Sequence, residues 1–236
     1  MVREPEVAGD KGPQRPFVVG VLALQGDFAK HEQAFRAAGA ETRRVSDAAD
    51  LALCDALALP GGESTTLLRL LEVTGMREPL ARFVAERPVF GTCAGLILLA
   101  RELADGGRVP AAPLGALDVT VERNAYGRQI DSFADAVELA PGDGEPFPGV
   151  FIRAPRIRRV GPGVEVTVTH KGEPVGVRQG RVLGLCFHPE LTDDRRLHRY
   201  FLTACCGLPE SATAGGEAGA AAGGGAGRAA RNGGAA

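Results

Sequence analysis

The chain has 236 residues, a formal net charge of −2 at pH 7 and 24% charged residues. Its length allows one large domain or two small ones, and the near-neutral balance excludes a globally basic nucleic-acid binder. No apolar run approaches the roughly 20 residues of a membrane-spanning helix.

In chain order, residues 1–16 come first; they are polar, contain three prolines and lack the apolar stretch of a secretory signal. Residues 17–24 are an almost unbroken apolar run that breaks at Gln25-Gly26-Asp27 before a helical pattern over 28–38. Continuous apolarity fits a strand covered on both faces, as in a parallel sheet. The pattern repeats: strand 56–59 stops at Pro60-Gly61-Gly62 before a helical period over 64–71, and strand 88–90 leads through 91–95 into a helix over 96–103. Three strand, turn, helix units argue for an α/β fold with a parallel sheet. Segments 118–122, 133–139, 150–152, 164–169, 175–177 and 182–187 then read as short strands rich in β-branched residues, and an amphipathic helix is expected over 193–205. The last stretch, 209–236, holds 20 Gly or Ala in 28 positions. Neither end can bury enough side chain to offset the entropy of ordering it. Both are expected to be disordered around one domain at 17–208.

Ligands in such sheets bind beyond the carboxyl ends of the strands, which directs attention to three turns. Gly91-Thr92-Cys93-Ala94-Gly95 sets a cysteine between glycines where a strand meets a helix, the geometry of a nucleophile elbow. The helix dipole behind it favours a thiolate. Phe187-His188-Pro189-Glu190 ends the last strand; in an extended segment His188 and Glu190 face the same way, so the carboxylate can orient the imidazole of a Cys-His-Glu triad. Pro60-Gly61-Gly62-Glu63 leaves backbone N–H groups bare, and Gly62 N–H with Ala94 N–H is the expected oxyanion hole. It lacks the GxxxxGK[ST] pattern of a nucleotide loop. Together these turns describe acyl transfer through a thioester on Cys93.

The remaining cysteines, Cys54, Cys186, Cys205 and Cys206, make no CxxC pair and no metal-ligand spacing with the histidines, so no metal site is expected and a reducing cytoplasm is. Buried packing is the expected role for all four. His170 is the rival base, His31 and His198 lie on helical faces, and His31 is a candidate for a partner surface. Arginines 153, 156, 158 and 159 lack interleaved aromatics and read as substrate-, partner- or solvent-facing, not as a nucleic-acid patch.

With these motifs in place the sequence resembles class I, triad-type glutamine amidotransferases, and within them the glutaminase subunits of pyridoxal 5'-phosphate synthase. The resemblance runs over about 18–201. It rests on Leu24-Gln25-Gly26-Asp27, Pro60-Gly61-Gly62-Glu63-Ser64-Thr65-Thr66, Val121-Glu122-Arg123 with the Asn124-Ala125-Tyr126-Gly127-Arg128-Gln129 that follows, Phe151-Ile152-Arg153-Ala154-Pro155 and Phe187-His188-Pro189-Glu190-Leu191-Thr192. It implies a three-layer, flavodoxin-like α/β fold with a mostly parallel central sheet and flanking helices. It implies Cys93 as nucleophile, His188 as general base and acid, Glu190 as orienter, and a glutamine pocket of Gly61, Gly62, Glu63, Arg123, Ile152 and Arg153. Glutamine presents an ammonium and a carboxylate, so we assign Glu63 to the first and Arg123 to the second. The resemblance further implies that ammonia passes to a synthase subunit in a hetero-oligomeric complex, and that this chain needs no cofactor of its own. From the residues alone two readings stay open beside it: a partner-free cysteine hydrolase and a scaffold with a vestigial triad.

Overall fold

The computed structural model describes residues 15–104, 111–123, 132–140, 142 and 144–213. Residues 124–129 of the family-like motif, most of the leader and most of the tail lie outside them. The elements begin with β1 (Val18–Leu22), α1 (Phe28–Ala37), β2 (Glu41–Val45), α2 (Ala48–Ala52), β3 (Ala56–Leu59), α3 (Ser64–Val73) and α4 (Arg77–Glu86). Next come β4 (Val89–Thr92), α5 (Ala94–Leu99), β5 (Ala100–Leu103), β6 (Leu117–Glu122), β7 (Ser132–Leu139) and β8 (Phe147–Ile152). Strands β9 (Arg156–Val160), β10 (Glu165–His170), β11 (Glu173–Gln179) and β12 (Val182–Leu185) precede a 3₁₀ turn at Pro189–Leu191, helix α6 (Arg196–Tyr200), a π turn at Phe201–Cys205 and α7 (Glu210–Thr213).

Nine strands form one sheet in the order β2-β1-β3-β4-β12-β11-β10-β7-β8. The first five run parallel and the rest continue antiparallel. Residues of β3, β4 and β12 are buried along their whole length, as strands covered on both faces must be. A smaller sheet, β5-β6-β9, packs beside it. On a flat sheet β8 would lie four strand spacings, roughly 19 Å, from β12. Instead His188 N–H, three residues beyond β12, donates to Val150 O of β8 at 2.8 Å, so the antiparallel half curls back over the carboxyl ends of the parallel strands. That curl closes the site.

Local chemistry sets the helices that flank this edge. Asp27 caps α1, its carboxylate accepting from Lys30 N–H at 3.3 Å, and the helix buries His31, Ala34 and Phe35 at the spacing of one helical face. Glu63 caps α3, accepting from Thr65 N–H at 3.0 Å and Thr66 N–H at 2.6 Å, which satisfies donors that the first turn leaves unpaired.

Several expectations need correction. The run over 96–103 is not one helix: α5 stops at Leu99, and Ala100 turns extended (φ −60°, ψ 155°) to start β5. The closing helix begins at Arg196 and passes into the π turn at Phe201. Described residues also extend on both sides of 17–208. Arg15 reaches Asp55, whose carboxylate also accepts Val18 N–H at 2.9 Å. Beyond Leu208 the chain forms α7, burying Thr213 to 3% exposure.

Candidate active site

Four carboxyl strand ends converge. The elbow after β4 places Cys93 at φ 49°, ψ −103°, a conformation costly for a residue with a Cβ and found where function over-determines the backbone. The flanking glycines are required by packing: a Cβ on Gly95 would sit 2.2 Å from Leu59 O of β3. Strand β12 fixes Cys93 from its other side, with Cys93 N–H donating to Leu185 O at 2.8 Å. Cys93 as a residue is 7% exposed, and its Sγ lies 3.9 Å from Ile152 O.

His188 and Glu190 meet as expected, for a different geometric reason. Strand β12 ends at Leu185, and Pro189 opens the 3₁₀ turn that carries Glu190; proline at the first helical position has no N–H to leave unsatisfied. The turn brings Glu190 Oε1 to 2.7 Å from His188 Nδ1. The imidazole lies against the backbone of Gly61, where a Cβ would approach its Cε1 to 2.3 Å. Burial works against charge on His188, yet its hydrogen bonds to Cys93 and Glu190 outweigh it and push the imidazole up to about 10. Burial likewise opposes ionisation of Glu190, but His31 and His188 hold its carboxyl well below the usual range. The two histidines make Glu190 a shared anchor.

Gly61, Gly62, Glu63, Cys93, Arg123, Ile152, Arg153, His188 and Glu190 all line one pocket of about 450 Å³, within the size range of small-ligand sites. Arg153, like Cys93, holds a positive φ, 44°. At one wall burial opposes ionisation of Glu63, but hydrogen bonds from Thr66 and Thr65 keep its carboxyl below the usual value. A carboxylate has about four acceptor sites, so these caps leave room for an ammonium. Arg123 Nη1 donates to Thr65 Oγ1 at 3.3 Å, which sets its guanidinium beside the same loop. Ala94 opens α5, so its N–H belongs to the first turn, whose donors have no intrahelical acceptor.

Residues outside the expected site fall elsewhere. His170 pairs with Asp135 at 2.9 Å, on the antiparallel half. Arg156 meets Glu173 at 3.2 Å, Arg158 meets Glu122, and Arg159 meets Asp118 at 2.7 Å. Burial pushes the Cys54 thiol up to about 11 and Cys205 to about 12, and raises Cys186 and Cys206 further. All four stay protonated at neutral pH. His31 does not face a partner: it is fully buried, with Nε2 3.3 Å from Glu190 Oε1 and 3.2 Å from Thr92 Oγ1. Spacing on a helix gave no sign of this, because the contact depends on how α1 packs over the carboxyl edge.

A pH dependence of folding follows. His198 is fully buried, and neither ring nitrogen has a hydrogen-bond partner among the described residues. Burial, helped by the charge of His31, lowers it to about 3. The unfolded chain binds that proton below about pH 6.5 and the folded chain does not, so stability falls from there toward pH 3. Glu190 adds to the acid loss below its ordinary pKa of about 4.3. His188 has the opposite sign: its contribution is complete below about 6.5 and is lost as pH rises toward 10. Stability against pH, followed by urea unfolding, should therefore peak near about 6.5. Each group contributes a slope of at most about 1.4 kcal/mol per pH unit, so the basic limb stays within that and the acid limb reaches at most about twice it below about pH 4.3, where His198 and Glu190 act together. His198→Phe should flatten the limb between about pH 6.5 and 4.5; an unchanged acid limb would contradict this account.

A cysteine elbow, a histidine held by a carboxylate, and a doubly wound sheet whose antiparallel half folds over the strand ends define a class I, triad-type glutamine amidotransferase. A solved glutamine amidotransferase of Thermotoga maritima has this fold, with a TM-score of 0.52 over 85% of this chain and 89% of its own, at 15% identity. A solved structure described as a glutamine amidotransferase is more similar, with a TM-score of 0.73 and 49% identity over 80% of this chain and 98% of its own. The sequence pattern of the SNO glutamine amidotransferase family matches residues 21–207, and the chain belongs to that family. Among its relatives is pyridoxal 5'-phosphate synthase subunit PdxT of Mycolicibacterium vanbaalenii, 54% identical over 189 residues, covering 79% of this chain and 96% of the relative.

Proposed function

We propose that this chain hydrolyses L-glutamine to L-glutamate and ammonia through a thioester on Cys93, and supplies the ammonia to the synthase subunit of a pyridoxal 5'-phosphate synthase. The observation that carries the reading is the single pocket in which Cys93, the His188–Glu190 pair, Glu63 and Arg123 all meet. Cys93 Sγ attacks the side-chain amide carbon of glutamine, and the oxyanion is received by the N–H groups of Gly62 and Ala94. His188, which holds its proton to about pH 10, gives it to the departing amine. The neutral imidazole then takes a proton from water as the water attacks the thioester, and glutamate leaves. Glu190 stays ionised and fixes the imidazole throughout. Glu63 meets the substrate ammonium, Arg123 its carboxylate, and the 152–153 backbone completes the pocket. The relative's name supports the hetero-oligomeric partner, and five free cysteines fit the reducing cytoplasm.

The test is glutamate release from glutamine by the chain alone and mixed with the synthase subunit. A strong rise on mixing is expected; equal turnover without the partner would favour a stand-alone hydrolase. Arg123→Ala should raise KM for glutamine by roughly 10- to 100-fold, the scale of a lost charge-assisted hydrogen bond. An unchanged KM would remove Arg123 from the carboxylate end.

A further inference from the structure

Resting on that reading of the site, we propose that His31 is a positioning residue of the triad, a second imidazole that clamps Glu190 and through it sets the ring of His188. Glu190 sits on a three-residue 3₁₀ turn with its side chain 2% exposed. Its Oε1 accepts from His188 Nδ1 at 2.7 Å and lies 3.3 Å from His31 Nε2. Its Oε2 is buried with no hydrogen-bond partner among the described residues. With His188 as its only donor, this carboxylate would be an under-solvated charge on a flexible stem, free to swing with the ring it is meant to hold. One carboxylate oxygen has two lone pairs, so Oε1 can take both imidazoles. The tautomer required carries the His31 proton on Nε2, directed at Glu190 and flanked by Thr92 Oγ1 at 3.2 Å.

The source of this donor matters. His31 and Thr92 are both fully buried, and Thr92 immediately precedes Cys93. His31 is therefore tied to the strand that delivers the nucleophile as well as to the turn that delivers the acid. The turn that leads into α1 also touches the third turn: a Cβ on Gly26 would sit 2.0 Å from Gly61 O, and Gln25 Nε2 donates to Glu63 O at 2.6 Å. The segment from Gln25 to His31, a turn and the start of α1, thus connects the acid of the triad with the loop expected to form the oxyanion hole.

The test uses the chain in complex with the synthase subunit. His31→Leu should lower kcat for glutamine roughly 10- to 100-fold, the scale of a hydrogen bond to a charged group, with KM within about threefold. His31→Gln, whose amide nitrogen reaches the place of Nε2, should recover to within about fivefold of wild type, whereas His31→Asn, one carbon shorter, should stay low. In a Glu190→Gln background the His31→Leu loss should vanish, because the residue acts through that carboxylate. A kcat within twofold of wild type for His31→Leu, equal losses for Gln and Asn, or a loss that persists without Glu190 would each overturn the proposal. Should His31→Leu not fold, the polar Gln and Asn pair decides. The downfield proton resonance of His188 Nδ1–H in the chain alone should persist in His31→Gln and shift or broaden in His31→Asn. That readout needs no turnover, so a wild-type complex that released no glutamate would sink the proposed reaction while leaving the positioning role to be judged on the spectrum.

Discussion

Cys93→Ala, assayed with the synthase subunit, is expected to lose glutamine hydrolysis by at least about 10⁴-fold in kcat, because no other group can form the thioester. The pocket offers no substitute: Cys186, the next thiol in the sheet, is fully buried, and burial raises its pKa. The effect on stability separates this site from an ordinary buried cysteine. Since Cys93 holds φ 49°, alanine keeps the strained Cβ while glycine removes it. Relief of about 1–3 kcal/mol of strain opposes the roughly 0.5–1 kcal/mol that glycine ordinarily costs relative to alanine. Cys93→Gly should therefore unfold at a urea midpoint equal to or above that of Cys93→Ala, the reverse of the usual order. Turnover well above about 10⁻⁴ of wild type in either variant would disprove the thioester, and a clearly less stable glycine variant would disprove the strain.

Gly95→Ala should be strongly destabilising. Its Cβ would meet Leu59 O at 2.2 Å and Leu59 Cβ at 2.9 Å. These are the backbone and stem of a fully buried strand, not the tip of a side chain that can swing away. Helix α5 must lift from β3, carrying Ala94 and the end of the elbow with it. Overpacking of this kind costs about 3 kcal/mol or more, which for a domain of this size lowers Tm by roughly 6–12 °C. Glutamine turnover should fall with it, even under conditions where the variant is fully folded. Calorimetry and the glutaminase assay check the two effects separately, and a variant that kept both its Tm and its rate would show that the helix and strand are less tightly packed than described.

The parallel half and the meeting of Cys93, His188 and Glu190 in one pocket are legible in the sequence because the same residues encode both. Continuous apolarity marks strands covered on two faces, and each such strand ends in a Gly- or Pro-punctuated turn that carries a reactive group. What escaped notice has a common character. Strands β2 (ETRRV) and β9 (RIRRV) are charge-rich, with Arg43, Arg44, Arg158 and Arg159 exposed, so an apolar pattern does not mark them. Helix α5 and strand β5 are joined without any Gly or Pro to mark the change at Ala100. The 3₁₀ turn at Pro189 brings His188 and Glu190 together as an extended segment would have done, so the pair was found through the wrong backbone. His31 was missed because its neighbours, Thr92 and Glu190, come from distant parts of the chain, and only tertiary packing creates the cluster.

The bond from His188 to β8 has a consequence beyond the site. A terminal strand of an open sheet exposes unpaired N–H and C=O groups on which other chains can build. Here Val150 O accepts His188 N–H, so the loop that carries His188 also masks part of the border of the sheet. Catalysis and resistance to self-association draw on the same few atoms. A lesion that dislodges the loop would leave the chain adhesive as well as inactive.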